Sequence, residues 1–276
     1  MMLAILLWSA VTQQAQPQDP PSLPPIHGGP APMTCPVGGE RFSAWRSGSY
    51  STYGSRPDGK PFSYMTFPFP LPECPSNKLV VFDDFKPDEV KALATLIETP
   101  EYKRMVKAET PYYRAYWLST RLDRPAVGTL WLLLRATWEV SPGSRDASDT
   151  PADRARMDRY QQAFVAGVRR LPGSADAQDR LWLTIRAANA LRQMGRFADA
   201  QRLLADARPL AAQDKKAAAV AAYIDEMARA TARKDADVEP IDLIPQREAK
   251  RRCEAGDATT LSPVQQGLCR NVKNEP

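Results

Sequence analysis

The sequence predicts an α+β protein that is mostly α: a small β-rich module followed by α-helical hairpins. Three observations carry this reading. Two short cysteine turns, Cys35-Pro-Val-Gly38 and Cys74-Pro-Ser-Asn77, bracket stretches of alternating polar and apolar residues. Thr99-Pro100, Thr110-Pro111 and Thr150-Pro151 carry the signature of a helix start, a hydroxyl to cap free amides and a proline that fits the first helical position. From Pro87 onward, apolar residues recur at spacings of three and four.

The elements follow in chain order. Residues 1–12 are apolar and uncharged, too short to span a bilayer as a helix but of the length of a secretory signal's apolar region. We read them as a leader, although no Lys or Arg precedes the apolar run. No cysteine follows that would take a lipid anchor. Residues 13–34 form a linker with prolines at 17, 20, 21, 24, 25, 30 and 32 and almost no charge. A semi-extended spacer is expected there, with a proline-rich ligand for a partner domain as the other use of such a stretch. Residues 35–86 are the β-rich module. Glu40–Trp45 and Ser49–Tyr53 alternate, Pro57-Asp-Gly59 signals a turn, and Leu79–Phe82 reads as a short apolar strand. Phe67-Pro-Phe-Pro-Leu-Pro72 must be irregular or an edge, because proline cannot donate to a ladder.

The helical domain is placed at 87–244 and a C-terminal helical tail at 245–276. Met157, Tyr160, Phe164, Val168 and Leu171 mark one apolar face, as do Val220, Tyr223, Ile224 and Met227. Thr129–Val140 is apolar on most sides and reads as a central buried helix. In Leu181–Ala207, the residues Ala188, Leu191, Gly195, Phe197, Ala200, Leu204 and Ala207 resemble one tetratricopeptide helix pair, with Thr184 in place of the usual large residue. Gly195 would reverse the chain, and the alanines would let two helices approach closely.

The order of these parts has a family likeness. Cys35-Pro36 with Gly39 and Phe42, Cys74-Pro75, Asp83-Asp84-Phe85 and the Met194–Ala200 turn resemble the bacterial family catalogued as domain of unknown function 2225. That resemblance implies paired zinc knuckles ahead of tetratricopeptide-like helices, and no established reaction. Here Gly38 and Asn77 stand where each knuckle's second cysteine would be, so metal binding is not carried over. By module logic Cys35 and Cys74 would pair where the zinc would otherwise close the module. Cys253 and Cys269 would staple a short tail helix, 262–270. Four reduced thiols in a cytoplasmic protein are the alternative.

Chemistry is sparse. The single histidine, His27, lies in the proline-rich linker, which leaves no imidazole for a nucleophile–base arrangement in the core. No phosphate loop or dinucleotide fingerprint occurs. Asp83 and Asp84 can form a carboxylate pair, but they precede a helix start, where capping and first-turn charge account for them. Tyr112, Tyr113, Tyr116 and Trp117 fall at helical spacing and can line a peptide groove or pack between helices. The net charge of +5 comes mainly from arginines scattered over the C-terminal half, a solvated face rather than a nucleic-acid patch.

The sequence therefore predicts a non-enzymatic, cofactor-free protein, periplasmic or secreted, with no lasting membrane span. Its expected partner is a protein or peptide, bound on the concave face of the helical array. The rivals are a zinc module using Cys35 and Cys74 with Glu40 or Glu73, and a carboxylate-based hydrolase.

Overall fold

A computed structural model describes residues 27–142, 150–256 and 261–274. The predicted leader and the first part of the linker, through residue 26, lie outside the described residues. The fold is α+β and mostly α: among the described residues, a two-stranded antiparallel sheet, then ten helices.

The strands are β1, Gly28–Thr34, and β2, Arg41–Ser47, paired so that Pro30 faces Trp45 and Pro32 faces Ser43. The predicted linker 13–34 thus ends in a strand. The two prolines are tolerated because, two residues apart, both turn their ring nitrogens to the outer edge of a two-stranded ribbon. The predicted strands at Ser49–Tyr53 and Leu79–Phe82 do not form. Each lies in a hairpin too short for a ladder, with isolated bridges at Ser55–Pro61 and Glu73–Val80.

The helices are α1 Pro87–Leu96, α2 Pro100–Ala108, α3 Pro111–Arg121, α4 Ala126–Glu139, α5 Pro151–Arg169, α6 Ala177–Gln193, α7 Phe197–Ala211, α8 Ala217–Ala232, α9 Gln246–Ala255 and α10 Pro263–Asn274. The three Thr-Pro starts are N-caps. Thr99, Thr110 and Thr150 accept from the amides of Tyr102, Tyr113 and Asp153 at 3.2, 3.4 and 3.1 Å. From α3 to α8 each helix packs on the next in sequence. Helix α4 is the buried centre, with Leu130, Leu132, Leu133, Leu134 and Trp138 all inside. Gly195 reverses the chain between α6 and α7 at φ +72°, a conformation glycine adopts without steric cost. Ala188 and Ala200 are fully buried across that hairpin.

The main core does not stop at the predicted boundary of 86/87. Cys35, Cys74, Leu79 and Val80 are buried in one cluster with the helices. A second cluster gathers Ile241, Ile244, Ala249, Cys253, Leu261 and Cys269, with Phe62 packed against it. The predicted boundary at 244/245 falls inside this cluster, so the tail's own small core begins earlier.

Candidate functional site

Disulfides join Cys35 to Cys74 and Cys253 to Cys269, the pairing expected. The two cysteine turns are built alike. Cys35 N donates to Glu40 O at 2.8 Å and Cys74 N to Leu79 O at 2.9 Å. Four residues on, Gly39 (φ +70°) and Lys78 (φ +60°) both take the left-handed conformation, and their amides return to the cysteine carbonyls. Asn77, at one vacant ligand position, donates to Val37 O of the opposite turn at 2.9 Å and accepts from Leu79 N at 3.0 Å. It therefore crosses the module with a hydrogen bond alongside the covalent one.

The carboxylates weighed as zinc ligands are engaged elsewhere. Glu40 accepts from Ser76 N at 3.0 Å, and Glu73 pairs with buried Arg114 at 2.5 Å. Arg114 also donates to Lys78 O, which anchors the second turn to α3. With both sulfurs bridged, the module does not fit a zinc site, and no cluster of three or more metal-ligating side chains occurs among the described residues.

Asp83 and Asp84 do not cap a helix. The N-cap of α1 is Lys86, whose amide donates to Glu89 at 2.8 Å. Arg124 holds the acidic corner instead, reaching Asp83 at 2.6 Å, the Asp84 carbonyl at 2.7 Å and Glu89 at 2.6 Å. The Asp83 and Asp84 side chains are exposed, and the neighbouring Glu89 is neutralised by the same Arg124.

The aromatic set on α3 divides. Tyr112 is buried and donates to Phe69 O at 2.9 Å. Trp117 is buried, donates to Glu101 at 2.9 Å and lies under Arg121. Tyr113 stacks on Tyr160 with ring centres 4.4 Å apart. Only Tyr113 and Tyr116 keep partial exposure, so two of the four rings are spent on packing.

The hairpin Tyr53–Phe62 organises the rest of the molecule. Its base closes through Tyr53 N to Phe62 O and Phe62 N to Gly54 O, at 3.1 and 2.9 Å. Its tip, the predicted Pro57-Asp-Gly59 turn, enters a groove between α4, α6 and α8. Arg56 pairs with Asp58 and donates to Ser141 at 2.7 Å. Lys60 Nζ donates to Trp138 O at 3.0 Å, and Arg186 reaches Pro57 O at 2.6 Å and Tyr223 at 3.2 Å. Arg56, Asp58 and Lys60 are all buried. Burial pushes the Asp58 carboxyl up, but Arg56 and Lys60 outweigh it and hold its pKa below the ordinary value. This part of the helical surface is filled by the chain's own loop.

The base of the same hairpin borders an open cleft of about 860 Å³. One wall carries Tyr53, Phe62, Tyr64 and Phe67; the other is α9, with Arg247, Lys250 and Arg251. Tyr53 stacks on Phe62, Arg247 lies 4.9 Å over the Tyr53 ring, and Glu248 pairs with Arg251 at 2.7 Å. Partial burial, then the Glu248 charge, raises the Tyr53 pKa and keeps its hydroxyl protonated. Tyr50 packs edge-on against Phe67 at the border. Tyr50, Tyr53 and Tyr64 are three of the four exposed large hydrophobic side chains among the described residues. Sequence reading missed this site. The closely spaced tyrosines were visible, but nothing local says that a helix nearly two hundred residues later completes the cleft.

Comparison with known protein families, with curated proteins and with solved structures returned no match.

Proposed function

We propose that this protein is an exported, non-enzymatic binding scaffold whose cleft between the Tyr53–Phe62 hairpin and α9 takes an extended segment of a protein partner. The observation that carries this reading is the gathering of exposed tyrosine rings, Tyr53 and Tyr64 with Tyr50 at the border, opposite a helix that carries Arg247, Lys250 and Arg251 beside Glu248 and Glu254. Exposed aromatics gathered on one surface, with arginine beside them, are the composition of an interaction site. The partner segment pairs apolar or proline side chains with an acidic residue that meets Arg247 and Lys250. The α-helical hairpins, tetratricopeptide-like in this reading, act as the frame that holds the module rather than as the binding face.

Two disulfides support an oxidising compartment. No helix among the described residues is long and apolar enough to cross a membrane. The lack of catalysis is proposed from the residue inventory: one histidine, at the surface, and four cysteines all in bridges.

The test uses the full-length protein with a benzophenone amino acid in place of Tyr64, irradiated in its native envelope fraction. A discrete protein adduct is expected at Tyr64, with little at Lys103 on α2. Its yield should fall when Arg247 and Lys250 are changed to Glu. Equal yields at both positions, unaffected by the charge reversal, would sink the proposal.

A further inference from the structure

We infer that the cleft has an occupant within this chain, the proline-rich segment 17–26, which competes there with the partner; the inference rests on reading the cleft as a peptide-binding surface. Three observations point to it. First, the described chain begins at the cleft's rim. The His27 ring meets Tyr64 edge-on at 5.0 Å, with Nδ1 3.1 Å from the tyrosine hydroxyl. The residues before it are therefore delivered to the cleft at high local concentration.

Second, the chemistries match. Segment 17–26 carries prolines at 17, 20, 21, 24 and 25. Polyproline helices are recognised by grooves lined with aromatic rings, because the extended conformer is preformed and its rings stack on flat faces. Exposed Tyr53 and Tyr64 and half-buried Phe62 supply such faces, with Phe67 buried behind them. Third, the charges match. Asp19 is the one charged residue between Gln13 and Ile26, and the far wall carries Arg247, Lys250 and Arg251 against Glu248 and Glu254, with Glu248 taken up by Arg251. At about 3.1 Å per residue, the eight residues from Asp19 to His27 span roughly 25 Å. That exceeds the length of α9, about 15 Å for ten residues, so the segment is long enough to run along that wall.

Tethering makes even a weak contact effective. A short linker gives an effective concentration of about 1 mM. A contact with a Kd of roughly 0.3 mM would then fill about three quarters of the clefts, and partner affinity would drop about fourfold. The segment thus serves as a threshold that a partner must displace.

The experiment places the benzophenone amino acid at Leu23 of the purified full-length protein, in a mixture of light and isotopically heavy chains. The expected product is a cross-link within one chain, mapped to Tyr53–Phe67 or to α9. Adducts that join light to heavy chains, or that scatter outside the cleft, overturn the inference. In parallel, Pro20, Pro21, Pro24 and Pro25 are changed together to Ala, and the partner adduct at Tyr64 is measured under subsaturating conditions. A yield increase of about fourfold is expected, and an unchanged yield overturns the competition. A partner adduct that persists when the Leu23 cross-link misses the cleft rejects self-docking while leaving the binding site standing. Loss of the Tyr64 adduct itself rejects both.

Discussion

Replacing Cys35 and Cys74 together by Ala should lower stability by about 4 kcal/mol. The bridge closes a loop of 39 residues, and the chain entropy it removes from the unfolded state corresponds to about that amount at 25 °C. The same relation gives about 3 kcal/mol for Cys253–Cys269, whose separation is 16. The first bridge should therefore contribute about 0.8 kcal/mol more, a difference that follows only from the ratio of loop lengths. The location adds to this ordering. Cys35 and Cys74 are buried in the main core, whereas the second bridge joins a smaller cluster. Urea unfolding of wild type and the two double-alanine variants, followed by tryptophan fluorescence, measures both midpoints. Five tryptophans, Trp45 in the module and Trp117, Trp131, Trp138 and Trp182 in the helices, report on both together. Adding reductant to the wild type should reproduce the combined loss. A Cys35→Ala/Cys74→Ala protein with an unshifted midpoint would refute the entropic reasoning. Four alkylatable thiols in native protein would refute the bridges themselves.

Three further predictions concern buried polar groups. Burial pushes the Glu139 carboxyl up to about 7, against acceptance from Thr110 and the Tyr112 amide, which lower it. A carboxyl whose folded pKa is raised costs stability as pH climbs from about 4.5 through 7, so Glu139→Gln should stabilise above pH 7 by about 2 kcal/mol and make little difference near pH 4.5; thermal melts across that range read the sign. Asp58→Asn leaves the buried Arg56 guanidinium with only Glu239, 3.9 Å away, as counter-charge and should cost about 3 kcal/mol, measured as a denaturant midpoint. Gly59 has φ +90°, and an added Cβ would lie 3.0 Å from Arg186 Nε, so Gly59→Ala should cost about 1–2 kcal/mol and speed amide exchange across Ser55–Pro61.

Helix starts were legible because their cause is local. A threonine hydroxyl and a proline ring act on amides within three residues, and all three Thr-Pro signals became N-caps. The paired cysteine turns were legible for the same reason, since each is set by six consecutive residues. Strand assignment fared worse. Ser49–Tyr53 alternates as a strand does, but a strand also needs a backbone partner, and Ser63 and Tyr64 opposite reach the Ser51 and Ser49 carbonyls through their side chains. The Asp83-Asp84 pair was assigned to capping from its position, whereas Arg124, forty residues on, holds it. The Tyr112 and Trp117 rings could not be placed inside or outside from spacing alone, because either face of α3 could have been the packed one.

The sequence by itself determined an α+β chain rich in helices, where several of those helices begin, and the local form of the two cysteine turns. Those features rest on backbone propensity and on contacts a few residues apart. Only the tertiary structure decided what the Tyr53–Phe62 hairpin does. Its tip carries Arg56, Asp58 and Lys60, which taken alone belong in water. They are buried because Asp58 pairs with Arg56 inside the turn while Ser141 and the Trp138 carbonyl of α4 accept from Arg56 and Lys60, and burial of charge is tolerated only when paired. That docking fixes the hairpin's base beside α9 and so creates the cleft. A binding surface made by two segments far apart in the chain has no local signature. It exists only because a buried polar network holds them in register.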